Sequence, residues 1–98
     1  MNKLIYIEKL AQVEGGLPAR SMEEHNMGKP NDRYTSMPIE YNVEGYLLYE
    51  IEVGKNVFID RIKRNGVEVR GFLTTSRVTE VGDKYFKTQN SVYSYKFL

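Results

Sequence analysis

VEVRGFLTTSRVTEV, residues 67–81, holds two apolar, strand-like pieces on either side of Thr74, Thr75, Ser76 and Arg77. Whether the chain runs through those four residues or turns at them decides how many strands form and which polar groups meet. In VEVRGFL, Val67, Val69, Gly71 and Leu73 share one face and Glu68, Arg70 and Phe72 the other, the period-two pattern of a half-buried strand. A strand in register would not normally carry Thr-Thr-Ser-Arg through its middle, so the sequence predicts a break there, with Ser76 as the turn or bulge residue. Short hydroxyl side chains have a structural use at such a corner, because they bond nearby backbone groups.

Outward from this stretch the chain reads as a string of strands. KLIYIEKL (3–10), EGYLLYEIEV (44–53), NVFIDRIK (56–63), RVTEV (77–81) and KYFKTQNSVYSYKFL (84–98) are rich in the β-branched and aromatic residues that suit a pleated surface. Asn65-Gly66 is a strong hairpin signal, since both residues tolerate positive φ, and Gly82-Asp83 is a second, weaker one. Residues 10–40 differ in character. They hold Pro18, Pro30, Pro38, Gly15, Gly16 and Gly28 without a sustained apolar period, and so form a long irregular loop. Within it SMEEH (21–25) suggests one helical turn, capped by Ser21 with Glu24 three residues on. Loops of this length in a compact domain are most often functional or disordered, which makes this one a binding candidate. Hairpin-linked strands of this size fit a small antiparallel β-barrel, SH3-like or related, better than a sandwich, because closure removes exposed edges.

At 98 residues, 41% hydrophobic and 12% aromatic, the chain fits a single folded domain spanning 1–98. Cysteine is absent, which excludes disulfides and thiolate chemistry and fits a reducing cytoplasm. No apolar run approaches the roughly 18 residues of a spanning helix, and the opening MNKLIYIEKL is a poor signal peptide, so a cytoplasmic protein with no membrane role is expected. The net charge of +1 conceals an acidic first half and a basic second half, an asymmetry that can steer an anion or favour self-association. Equally, the two signs can pair within one domain.

TTSR and KTQNS (87–91) each combine a threonine, a serine and a cation at strand ends in the basic half. If Gly82-Asp83 closes the hairpin between them, the two stretches meet and offer donors to a phosphate or similar anion. The expected ligand-binding set is Thr75, Ser76, Arg77, Thr88, Asn90 and Tyr93, with Arg70 a further choice; Tyr93 or Tyr85 would stack on a base. The alternative is a nucleic-acid-binding module using Arg61, Lys63, Arg64 and Lys87, though a nearly neutral chain is a poor nonspecific DNA binder. Nothing argues for catalysis. His25, the only histidine, reads as a solvated loop residue, and no metal cluster, Walker loop, dinucleotide fingerprint or nucleophile elbow is present, so no cofactor is expected.

GYLLYEIEVGKNVFIDR, GFLTTSRVTEV and YFKTQNSVYSYKF together resemble small uncharacterised bacteriophage accessory proteins, in which a Gly-aromatic strand, a Val-Gly turn, a Thr-Ser-x-Val turn and a terminal Phe-x-Thr-x-Asn-Ser-x-Tyr strand recur in order. The match covers about half the chain, and it carries no known active or binding residue across. The resemblance implies a phage or prophage origin and a non-enzymatic, stoichiometric binder that inhibits or evades a host defence or regulatory system. Such a binder would block a host protein or sequester a nucleotide-like anion, the latter at a subunit interface of a homo-oligomer.

Overall fold

The computed structural model describes residues 2–27 and 35–98. Gly28 and Pro30 of the expected loop lie outside them. Six strands form: β1 (Lys3–Gln12), β2 (Asn42–Leu47), β3 (Asn56–Arg64), β4 (Val67–Gly82), β5 (Tyr85–Thr88) and β6 (Ser91–Phe97), with one short helix, α1 (Met22–Asn26), between β1 and β2. Each strand pairs antiparallel with the next, and β1 also pairs with β6, so the sheet closes into a ring. Closure pairs the first strand with the last, so β1 has a partner on both sides.

Alternation puts one residue in two inside the ring. Ile5 and Ile7 on β1, Val43 and Leu47 on β2, Val57 and Ile59 on β3, Leu73 and Val78 on β4, Phe86 on β5 and Tyr93 on β6 make the buried core, joined by Tyr41 from the loop. Phe86 and Tyr93 stack at 5.1 Å between centroids.

The expected break at TTSR does not occur: β4 runs unbroken for 16 residues. The polar run is absorbed by a bulge. Asn56 pairs with Arg77 and Phe58 with Thr74, so Val57 alone faces both Thr75 and Ser76. One extra residue restores the parity, and Leu73, Thr75 and Val78 all end up buried. The expected bulge at Ser76 is therefore present, but without a turn. Conversely, the terminal piece expected as one strand is two, because Gln89-Asn90 turns the chain. EGYLLYEIEV pairs only as far as Leu47, which lies opposite the first residue of β1, and beyond it residues 48–55 leave the sheet.

The expected hairpin turns are present with one shift. Asn65 (φ 51°) and Gly66 (φ 81°) make the β3–β4 turn. The β4–β5 turn is Asp83-Lys84 rather than Gly82-Asp83, with Lys84 at φ 63°. Gly82 stays in the strand beneath the Tyr85 ring, where a Cβ would lie 1.9 Å from Cε1. In the loop Ser21 caps α1, accepting from the Glu24 N–H at 3.1 Å, and Ala19 bridges Ser36 in parallel. Among the described residues no helix is long and apolar enough to cross a membrane.

Candidate functional site

The two hydroxyl-rich stretches do meet. Thr75 and Ser76 on β4 and Asn90, Ser91 and Tyr93 around the β5–β6 turn line one cleft of about 140 Å³, roofed by Thr35, Ser36 and Met37. The two threonines, however, serve the backbone. Thr75 Oγ1 accepts from the Val57 N–H at 3.0 Å and donates to the Ser76 carbonyl at 2.8 Å, stitching the bulge. Thr88 Oγ1 accepts from the N–H groups of Asn90 (3.3 Å) and Ser91 (3.1 Å), building the turn. Asn90 Oδ1 holds the Leu17 N–H at 3.0 Å and ties the loop to the ring. Tyr93 is buried, which pushes its hydroxyl pKa up to about 12. Arg70 and Arg77 are exposed on the outer side of β4 and do not line the cleft.

The basic residues of the nucleic-acid alternative do not share a face. Opposed residues of an antiparallel pair project to the same side. Arg61 lies opposite Gly45 and Arg64 opposite Val43, both buried positions, so both arginines point toward the interior. Lys63 points outward, paired with Glu44 at 4.0 Å, and lies opposite Glu68. Lys87, across the ring on β5, lies 3.9 Å from Glu80. The two outward lysines of this set thus each lie beside a carboxylate.

His25 is not solvated. It is 6% exposed on α1, with its ring edge-on to Tyr41 at 5.1 Å. Burial lowers its pKa, and the fields of Arg64, Arg20 and Arg61 lower it further. Lys9 is also fully buried, continuing the inward row of Ile5 and Ile7. Its Nζ donates to Gln12 Oε1 (3.1 Å), Ser36 Oγ (3.0 Å) and the Met37 carbonyl (2.6 Å), so all three ammonium hydrogens meet neutral oxygens. Desolvation lowers its pKa to about 8. Lys9 is thereby a clamp that holds the end of the loop over the ring.

Two wide concavities lie where residues 48–55 leave the sheet. One of about 560 Å³ is lined by Tyr49, Glu50, Glu52, Gly54, Lys55, Asn56 and Phe58. A second of about 440 Å³ shares Tyr49 and Glu50 and extends to Tyr95 and Phe97. Outside them the sheet carries an aromatic face. Asp60 is flanked across the strands by Tyr46 and Phe72, while Phe58 sits two residues along and packs edge-on against Tyr49 at 5.9 Å. Tyr49 is 67% and Phe72 72% exposed, against a usual preference of such rings for burial. These residues were absent from both expected sets. Their signal was in the sequence, since Phe72 falls on the polar face of VEVRGFL beside Glu68 and Arg70.

No family model, no curated protein and no solved structure matches this chain.

Proposed function

We propose that this chain is a non-enzymatic binding protein on an SH3-like small β-barrel, acting stoichiometrically on a basic segment of a protein partner. The observation that carries this reading is the outer face of β2, β3 and β4, where Tyr46, Phe58 and Phe72 surround Asp60 and Tyr49 leads into the concavity of about 560 Å³ beside Glu50. Exposed aromatic rings supply anchor area and attract cations through their faces, and the carboxylates favour arginine or lysine on the partner. In the setting that the phage resemblance implies, the partner is a host defence or regulatory protein in the host cytoplasm.

Sequestration of a nucleotide-like anion has less support. The cleft around Ser76 and Asn90, at about 140 Å³, is smaller than the roughly 300 Å³ at the low end of small-molecule sites. Binding of nucleic acid is disfavoured by the inward arginines and by the carboxylates beside Lys63 and Lys87.

The test is affinity capture from a bacterial host with wild type, the double variant Tyr49→Ala/Phe72→Ala and the control Arg77→Glu, followed by NMR mapping of the captured partner's basic segment. A partner retained by Arg77→Glu, lost by the double variant and perturbing the amides of residues 46–60 and 72 supports the proposal. Capture unaffected by the double variant overturns it.

A further inference from the structure

The end of the ring beneath α1 has an arrangement that the aromatic face does not use. Two irregularities bracket Ile62: the register shifts against β2 between Glu44 and Gly45, and against β4 between Arg61 and Lys63. A regular strand would turn residues 61 and 64 to opposite faces. Here the extra residue lets both look inward, Arg61 opposite Gly45 and Arg64 opposite Val43. Gly71 makes room for the first, since a Cβ there would lie 2.8 Å from Arg61 Nη2. The Nε–H of Arg61 is fixed on the Val69 carbonyl at 3.0 Å, and the guanidinium lies beside the Tyr41 hydroxyl, opposing the rise in pKa that burial imposes there. None of the ion pairs among the described residues involves Arg61 or Arg64.

His25 and Tyr41 complete the group. Both are more than nine-tenths buried; His25 Nε2 has no hydrogen-bond partner among the described residues, and Tyr41 Oη makes no well-formed bond but has the Arg61 guanidinium beside it. Buried polar atoms are almost always paired, so the unpaired His25 Nε2, within the field of Arg64 and Arg61, calls for an acceptor. We propose that this inner end binds a small oxyanion of the phosphate or sulfate class, held by Arg61 and Arg64 and hydrogen-bonded by the Tyr41 hydroxyl and the His25 imidazole. Guanidinium groups suit such a ligand because their planar forks match tetrahedral oxyanions. The electrostatics agree: beyond the effect of burial, the fields of Arg64, Arg20 and Arg61 hold down the His25 pKa, so the field at the imidazole is positive.

His25 is the only histidine, so its imidazole resonance reports the site directly. The protein is titrated with sodium phosphate, and in a parallel arm with AMP, against sodium chloride of equal ionic strength. The expected result is a saturable shift of the His25 resonance with phosphate, a rise in its pKa, and an affinity reduced roughly tenfold or more in Arg64→Gln. A response to phosphate alone marks a free oxyanion, and a response to both a phosphoryl end-group. Tyr41→Phe, which keeps the ring, weakens binding by the same reasoning and serves if Arg64→Gln does not fold. No difference between phosphate and chloride, or an unchanged affinity in the variant that folds, overturns the proposal.

Discussion

Gly45 and Lys9 are single positions on which the ring depends. A Cβ at Gly45 would lie 2.3 Å from the Asp60 carbonyl oxygen and 2.9 Å from Arg61 Cα, backbone that cannot step aside without undoing the bulge. Gly45→Ala is therefore expected to cost about 3 kcal/mol or more in urea denaturation, while Gly54→Ala, with open space around its Cβ, is limited to the strain of its φ of 91°. For Lys9 the folded pKa of about 8 lies below the unfolded 10.5, so between these values the unfolded chain binds more protons and stability rises with pH. Tyr93 acts in the opposite sense: its pKa is raised from 10.0 to about 12, so stability falls as pH climbs through that window. Denaturation midpoints are expected to increase from pH 8 toward 10 and then decline, and Lys9→Met to abolish the increase. His25, whose pKa is lowered from 6.5, adds a loss of stability as pH falls below that value, absent in His25→Gln.

At the scale of the element, β4 carries the main lesson. The hydroxyls of TTSR are legible as backbone-satisfying groups, and Thr75 does bond the Val57 N–H and the Ser76 carbonyl. Thr75→Val leaves that buried N–H unmet and is expected to cost about 1–3 kcal/mol in urea denaturation, while Arg77→Ala, exposed on the outer side, stays within about 0.5 kcal/mol. What composition did not reveal is that a bulge would keep the strand continuous instead of ending it. A bulge and a turn use the same local residues, and the choice belongs to the facing strand, whose Val57 spans the two extra positions. The β5–β6 turn was hidden for a related reason: Thr88, Asn90 and Ser91 read as strand-end polar residues until the hydrogen bonds of the Thr88 hydroxyl close them into a corner.

For the whole molecule, the ring carries aromatic residues on both faces, Phe86 and Tyr93 within and Phe58 and Phe72 outside. The aromatic face around Asp60 gives a further expectation: Tyr49 and Phe72 are mostly exposed, so Tyr49→Ala/Phe72→Ala changes the thermal midpoint little while removing partner binding. The sequence by itself determined a mainly β domain, the Asn65-Gly66 turn, the Ser21 cap and the meeting of TTSR with KTQNS, because each rests on alternation, positive φ or short-range hydrogen bonds. Only the tertiary structure decided that β1 closes on β6, that His25 and Lys9 are buried, and that Arg61 and Arg64 face inward. A bulge of one residue reverses which side a strand presents, and its position is set by partners distant in the chain.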